Sequence, residues 1–401
     1  MVNITKTNPK GVMWLQVCGL AGMQAAITLF WLIYNLYIPQ LLVQIGFSRD
    51  LAIGLLIVEN VLAIIIEPLV GGLSDDRKRW ITGRFPFISL GAIASSALFI
   101  LIPAIVTFSQ PSEVIRWIFL FVVVTWSLAM GIFRSPAIAL LGKYAGSADL
   151  PLAASLLTLT GGIINAFRPV SNNFILSLGA VFTFAFGSFV MLGAAFVLRF
   201  LDPPEKPIIE IPKIPTTPEH LPKKLFLLLG TGFSVAWGSR LFMDILSKLL
   251  KIELNADIGE MGGMMFILSL AVAFAALPAG ALATKIGNRQ AMVWGSCAIA
   301  IWMLLMLFFG AKLILIILSI CTFSFILNGA IPFALSLVSN QRAGLAIGMY
   351  FAGSALAGAL FPVFFPQLAT LSPLPETFIS ALAFSITGIC VTASSTINQA
   401  E

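Results

Sequence analysis

Residues 71–80 read GGLSDDRKRW, and a related segment, GALATKIGNR, occupies residues 280–289. Each segment ends one long apolar run and leads through a short basic loop into the next. Gly72 and Gly280 lie 208 residues apart, which is about half of the 401-residue chain. Self-similarity at this spacing predicts two structural repeats of the same topology.

The composition indicates that these repeats lie in a membrane. Hydrophobic residues make up 59% of the chain and charged residues only 10%, whereas soluble domains carry about 25% charged residues. The net charge of +6 is spread over short loops rather than gathered in one patch. The composition therefore excludes a soluble enzyme, a nucleic-acid-binding protein and a disulfide-built secreted domain.

Twelve apolar stretches are long enough to cross a bilayer, which requires ~20 residues. They predict an all-α membrane protein with twelve transmembrane helices, because an open sheet could not satisfy its backbone polar groups in lipid. The predicted spans are 14–37, 51–73, 86–108, 115–142, 152–175, 178–200, 225–250, 260–283, 291–310, 312–338, 343–367 and 377–395.

A proline-rich segment divides the spans into two sets of six. Residues 201–224 contain seven prolines, and proline at this density favours an extended strap over a helix. The sequence therefore predicts a six-helix bundle over residues 1–200, a linker over 201–224 and a second six-helix bundle over 225–401.

The distribution of lysine and arginine predicts the orientation. With a cytoplasmic N-terminus, fifteen of these residues lie on the cytoplasmic side and five on the outer side. The positive-inside rule then places both termini and the linker in the cytoplasm. We expect the chain to be integral to the cytoplasmic (plasma) membrane.

Two parallel six-helix repeats joined by a linker are typical of the major facilitator superfamily, which the chain resembles over nearly all of its length. The resemblance implies two pseudo-symmetric bundles that rock around a central cavity. An aspartate in the loop after the second span can cap a helix of the facing bundle. We interpret Asp75, Arg77 and Arg84 as a cytoplasmic gate, the alternative being ordinary positive-inside topology.

Residues 22–88 carry a narrower resemblance, to the sucrose/proton symporters of plants and to the glycoside–pentoside–hexuronide cation symporters. The matching segments are GMQ at 22–24, IPQLL at 38–42, EPLVGGLSD at 67–75 and GRFPFI at 83–88. The fourth span departs from the sucrose symporters, which have an arginine and an aspartate where this chain has Ile138 and Lys143. The resemblance implies cation-coupled symport of a small sugar or glycoside.

Six ionisable residues fall within the predicted spans: Glu59, Glu67, Arg134, Arg168, Arg240 and Asp244. A charge at the bilayer centre costs about 2.5–3.5 kcal/mol, so such residues usually face a cavity and pair. Their depths predict the pairs Glu67–Arg134 and Glu59–Arg168. The remaining two are one helical turn apart and can pair with each other.

Cation coupling requires a carboxylate that can exchange its partner for a proton or Na⁺. Glu67 is the first candidate, because the resemblance places an acidic residue before proline at this position. Glu59 and Asp244 are further candidates. The alternative for each is a permanent structural ion pair.

A sugar site combines hydrogen-bonding groups with an aromatic surface, because sugars have polar rims and apolar faces. The candidate substrate-binding residues are Gln24, Tyr34, Asn35, Arg134, Asn165, Arg168 and Arg240. The alternative for each is a contact between packed helices.

The sequence thus predicts a secondary active transporter and not an enzyme, since it has no Walker-type motif for ATP. No cofactor or metal is expected apart from transported H⁺ or Na⁺, and the only histidine, His220, lies in the linker. The expected partners are a small-molecule substrate, which we expect to be a sugar, and the lipid bilayer. Two alternatives remain: an exporter of hydrophobic compounds, and a non-transporting membrane protein of the same fold that handles pigment or assists assembly.

Overall fold

The computed structural model describes residues 11–75, 83–171, 175–203, 220–254, 258–368 and 371–399. The helices are α1 (Trp14–Gln44), α2 (Leu51–Asp75), α3 (Phe85–Phe108), α4 (Glu113–Ala139), α5 (Leu150–Ala166), α6 (Ala180–Leu201), α7 (Leu221–Leu254), α8 (Ile258–Ile286), α9 (Asn288–Phe309), α10 (Leu313–Leu337), α11 (Ala343–Phe364) and α12 (Pro373–Gln399). Short helical segments at Leu141–Tyr144, Leu176–Leu178 and Asn340–Arg342 lie between them. Apart from an isolated bridge between Val12 and Ala145, the described residues form helices, turns and connecting segments.

Eleven of the described helices are long and apolar enough to cross a membrane, and α5 is an apolar helix of 17 residues. This confirms the all-α membrane fold. The fifth predicted span, 152–175, is too long at its C-terminal side, since α5 ends at Ala166 and a turn follows. Pro169 explains the early end, because proline lacks an amide donor and disfavours helical backbone in the residue before it.

The predicted linker is shorter than expected at both of its ends. Leu201 is the last residue of α6, and α7 begins at Leu221, four residues before the predicted start of the seventh span. Pro222 does not prevent this start, because the first turn of a helix tolerates proline. Residues 204–219 lie outside the described part of the chain.

The helices pack as two bundles, α1–α6 and α7–α12. The contacts between the two bundles are concentrated in two helix pairs. The pairs are α2 with α11 and α5 with α8. A shift of six helices converts one pair into the other, as expected for two parallel repeats related by a twofold axis. We call the end of the molecule at which α1 begins and α2 ends the lower end, and the opposite end the upper end.

Glycine allows α2 and α11 to approach backbone to backbone. A Cβ atom at Gly344 would overlap the carbonyl of Gly71, and one at Gly348 would overlap the carbonyl of Glu67. Small residues at crossings are the usual way in which membrane helices come this close. The two bundles are therefore joined through main-chain contact next to an ionisable residue of α2.

Candidate functional site

At the lower end, Asp75 joins the two bundles. Its carboxylate accepts hydrogen bonds from the backbone amides of Gly344 (3.0 Å) and Leu345 (2.9 Å), at the first turn of α11. A carboxylate at this position satisfies unpaired amides and interacts favourably with the helix dipole. The predicted capping of a facing helix by this aspartate is confirmed.

Arg84 completes the contact around Asp75. Its guanidinium lies 2.8 Å from the carboxylate and donates to the carbonyl oxygens of Ala139 (3.1 Å) and Asn340 (3.3 Å). One side chain thus connects the start of α3, the end of α4 and the segment before α11. Arg77, the third predicted gate residue, lies outside the described residues.

Glu67 is buried within the first bundle, with 2% of its side chain exposed. Ser135 donates a hydrogen bond to one carboxylate oxygen, and the guanidinium of Arg134 lies 3.5 Å from the other. The predicted Glu67–Arg134 pair is confirmed. Arg134 also stacks over the Phe351 ring of α11, 3.8 Å from its centroid, so the pair is in contact with the second bundle.

Glu59 is equally buried but has a different partner from the one predicted. Tyr34 donates its hydroxyl to the Glu59 carboxylate and stacks on Trp126, with ring centroids 4.3 Å apart. The predicted Glu59–Arg168 pair is wrong because α2 packs mainly on α4 and α11, whereas α5 packs mainly on α1 and α8. Equal depth along two helices does not bring their side chains together.

The second Glu59 oxygen, Oε2, is buried without a hydrogen-bond partner among the described residues. An unpaired carboxylate oxygen in a buried site is costly, and a proton or a bound cation would reduce that cost. Glu59 therefore keeps the chemistry expected of a coupling residue although its predicted arginine is elsewhere.

Asp244 pairs with Lys248, one turn further along α7, at 2.7 Å. The predicted Arg240–Asp244 pair is wrong, because Asp244 binds Lys248 instead. The ammonium group of Lys248 lies nearer the upper end, where it also contacts Glu376 (2.8 Å) and donates to the carbonyl oxygen of Leu368. These contacts hold Asp244 in a cluster at the start of α12. Arg240 turns away and lies over the Phe361 ring, 5.2 Å from its centroid.

Arg168 follows the end of α5, and Arg240 lies on α7 in the other bundle. Both residues are exposed. The role of the two arginines in substrate binding stays a prediction.

The remaining predicted substrate residues differ in how free their amides are. Gln24 packs against Gly161 of α5 and donates to Thr28 at 3.4 Å, so it lies in a helix contact. Asn35 donates to a carbonyl oxygen of its own helix at 2.7 Å. Asn165 is exposed, one turn before Arg168.

Two further polar contacts join helices outside the residues discussed so far. Asn328 of α10 donates to the carbonyl oxygen of Pro151 (2.9 Å) and contacts Thr158 (3.3 Å), which adds a second polar connection between the bundles. The pair of Lys248 with Asp244 was missed, although the i, i+4 spacing of the two residues is a usable signal in the sequence. Among the described residues, no group of three or more His, Cys, Asp or Glu side chains could hold a metal ion.

Comparison with known proteins places this geometry in a family. The family model described as Major Facilitator Superfamily matches residues 19–362, while no protein of curated function matches by sequence. Similar solved structures include the transporter FucP in the outward conformation (TM-score 0.69, 13% identity, 94% of this chain and 97% of that chain covered). A bacterial homologue of the iron transporter ferroportin in an outward-facing state gives a TM-score of 0.72 at 13% identity, covering 95% and 99%.

The proton:xylose symporter XylE, solved with 6-bromo-6-deoxy-D-glucose, gives a TM-score of 0.67 at 14% identity, covering 96% of this chain and 94% of that chain. At these identities the structures share a fold and nothing finer. The family model spans most of the chain, including both interbundle helix pairs and the lower-end contact around Asp75. The chain belongs to the major facilitator superfamily of membrane transporters.

Proposed function

We propose that the chain carries out cation-coupled symport, with H⁺ or Na⁺, of a small sugar or glycoside by alternating access. In this proposal the lower end faces the cytoplasm of a cell whose plasma membrane holds the chain, and the cargo enters from the upper end. The observation that carries the proposal is the position of Glu67. It is a buried acid at the place where the two bundles meet.

Coupling through Glu67 follows from what its partners can do in each protonation state. Arg134 stabilises only the carboxylate, whereas the hydroxyl of Ser135 can donate to a carboxylate and accept from a protonated carboxyl group. Protonation of Glu67 would release Arg134, which also contacts Phe351 of α11. A cation bound at Glu67 would thereby change the contact between the bundles.

The lower-end contact supports alternating access. Asp75 caps α11, and Arg84 holds Asp75 while binding Asn340 across the interface. These bonds favour the arrangement in which the lower end is shut. A state open to the cytoplasm must break them, so they act as a gate in the proposal.

The sugar assignment rests on sequence and on relatives. The segments at residues 22–24, 38–42 and 67–75 resemble sugar symporters, and FucP and XylE are described as a fucose:proton and a proton:xylose symporter. The ferroportin homologue shows that the same fold serves other cargo. The half-buried ring of Trp31, which packs edge-on against the buried rings of Tyr34 and Trp126, is the aromatic surface that the proposal offers to a sugar face.

The test is uptake of radiolabelled sucrose and maltose into proteoliposomes under an imposed proton or sodium gradient. We expect accumulation by the wild type, loss of accumulation in Glu67→Gln, and survival of counterflow exchange in that variant. Glu253→Gln is the matched control, because Glu253 pairs with the exposed Lys312 at 2.8 Å. No uptake of either sugar under either gradient by folded protein would reject the proposal.

A further inference from the structure

Three charged side chains meet at the upper end of the second bundle, around the ammonium group of Lys248. Two carboxylates contact its nitrogen atom, Asp244 Oδ2 at 2.7 Å and Glu376 Oε1 at 2.8 Å. Because both oxygens contact the same nitrogen, they cannot be further apart than these two distances combined. The cluster therefore brings two acids together against a single base.

The hydrogen bonds of this cluster do not satisfy both acids. Lys248 has three N–H donors. It donates them to the carbonyl oxygens of Leu368 (2.8 Å) and Leu371 (3.1 Å) and to Glu376 Oε1 (2.8 Å). Asp244 Oδ2 and Glu376 Oε2 are buried and have no hydrogen-bond partner among the described residues. One oxygen of each acid therefore lacks a donor.

The charges of the cluster do not balance either if both acids are ionised. One ammonium group would then face two carboxylates, although the side chain of Glu376 has no exposed surface. Uncompensated charge is expensive at such a site, and two carboxyl groups that share a site usually hold one proton between them. A proton on either acid makes the cluster neutral, and its O–H group can donate to the other acid.

The neighbouring charged groups are engaged elsewhere or face solvent. On α7, Arg240 lies over a phenylalanine ring, and Lys251 is exposed. Glu253 pairs with Lys312, the residue before α10, at 2.8 Å. The sequences of α11 and α12 contain no Asp, Glu, Lys, Arg or His besides Glu376. Compensation of the acid pair therefore depends on a single lysine.

We propose that Asp244 and Glu376 share one proton at neutral pH, so that the cluster is a proton-binding site in the second bundle, separate from Glu67. The proton enters from solvent at the upper end, because the side chains of Asp244 and Lys248 are partly exposed, at 29% and 18%. Hydronium gives up the proton, an O–H bond forms on one carboxylate oxygen, and water is left. This inference goes beyond the proposed function, because the proton binds whatever the cargo is.

The bound proton also affects what Lys248 can hold. With one acid neutral, the lysine can keep its hydrogen bonds to Leu368 and Leu371, which lie between α11 and α12. Once the proton is lost, two carboxylates compete with these carbonyl oxygens for the same three N–H donors. The attachment of this segment to α7 would therefore weaken as the pH at the upper end rises.

Infrared difference spectroscopy of the detergent-solubilised full chain at about pH 7 tests the shared proton, because a protonated carboxyl group and a carboxylate absorb at different frequencies. We expect Glu376→Gln to lose the band of a protonated carboxyl group. Asp244→Asn should lose the same band, because the remaining glutamate then forms a one-to-one ion pair with Lys248. The control is Glu253→Gln, which removes a carboxylate paired with the exposed Lys312 and should keep the band.

Thermal melting at different pH values gives a second readout. The folded chain keeps a proton that the unfolded acids lose above about pH 5, so a rise in pH destabilises the folded state. Between about pH 6 and about pH 9 the melting temperature of the wild type should fall further than that of Glu376→Gln. The amide of that variant can donate to Asp244 at every pH. If Glu376→Gln does not fold, Asp244→Asn, at a partly exposed position, serves both readouts.

Loss of a carboxylate band in either variant, in place of the protonated band, would overturn the shared proton. A water molecule between two ionised acids would then satisfy the unpaired oxygens. Equal pH dependence of melting in the wild type and in both variants would overturn it as well. A shared proton in a chain that accumulates neither sugar would keep this inference and reject symport. Sugar accumulation that needs Glu67, in a chain without the protonated band, would do the reverse.

Discussion

Each of the two buried glutamates of α2 accepts a hydrogen bond from a hydroxyl group on a neighbouring helix. Ser135 binds Glu67, and Tyr34 binds Glu59. A hydroxyl can donate to a carboxylate or accept from a protonated carboxyl group, so it remains a partner in either state. Arg134 is useful only to the charged form, which makes Glu67 the acid whose protonation changes its contacts most.

Removing the Tyr34 hydroxyl tests how strongly Glu59 depends on it. In Tyr34→Phe the carboxyl group keeps no described hydrogen-bond partner, and leaving a buried acceptor unsatisfied costs on the order of 1–3 kcal/mol. We expect a lower melting temperature in detergent. Adding Glu59→Gln should cost much less in the Tyr34→Phe background than in the wild type, because the pair is already broken.

Tyr37 provides the matched control for this cycle. Its hydroxyl donates to the carbonyl oxygen of Ile175 at 2.6 Å and contacts Thr183 at 3.0 Å, away from any described carboxylate. The effects of Tyr37→Phe and Glu59→Gln should therefore add. Additive effects for Tyr34→Phe and Glu59→Gln as well would show that the tyrosine does not stabilise the acid.

At the scale of helices, the close packing of α2 against α11 requires glycine at their crossing, where backbone contacts backbone. Gly348→Leu would place a branched side chain against the Glu67 carbonyl and the Cα atom of Pro68, which is 2.7 Å from an ideal Cβ. Overpacking of this kind costs about 1–3 kcal/mol. We expect a lower melting temperature and slower transport, because the bundles can no longer meet at Glu67.

Gly193→Leu is the control for the helix prediction. Gly193 lies on α6, and a Cβ atom there would have no atom outside its own turn within 4 Å. The substitution changes helix propensity in the same direction without creating a clash. Equal loss of stability and transport in both variants would mean that the close crossing of α2 and α11 has no special importance.

The sequence was sufficient for features that depend on chain position and insufficient for those that depend on helix rotation. The repeated loops predicted the two bundles, and the aspartate of the first loop predicted a cap on a helix of the facing bundle, which the structure identifies as α11. Depth predicted the Glu67–Arg134 pair but failed for Glu59 and Arg168. Depth gives height along a helix, whereas partners also depend on which faces meet, and Tyr34 meets Glu59 through its stacking on Trp126.

At the scale of the whole molecule, the proposed gate around Asp75 at the lower end and Arg240 of α7 belong to the same two packed bundles. If the gate is loosened, we therefore expect the access of solvent to Arg240 to change. A loss of 1.4 kcal/mol from the shut state changes the ratio of shut to open molecules tenfold. Asp75 accepts two hydrogen bonds from backbone amides and forms one ion pair. Replacing it should therefore destabilise the shut state by more than about 1.4 kcal/mol.

Arg240→Cys in a background without the four natural cysteines makes the change in access measurable. An impermeant thiol reagent added from the upper side should label this cysteine in reconstituted protein, because the proposed gate of Asp75 and Arg84 closes the lower end. Combining it with Asp75→Asn should slow labelling from the upper side and raise labelling from the lower side. Arg49→Cys, on the loop between α1 and α2, should label equally in both backgrounds.

Faster labelling of Arg240→Cys from both sides at once would contradict rocking, because it would mean that the Asp75→Asn protein has loosened throughout. Unchanged labelling from either side would separate Asp75 from access altogether and leave it as the cap of α11. Only opposite changes in the labelling rate from the two sides would show that Asp75, the α2–α11 pair and the two bundles take part in one movement. They follow if the bonds of Asp75 hold one of two alternative packings of α2 against α11.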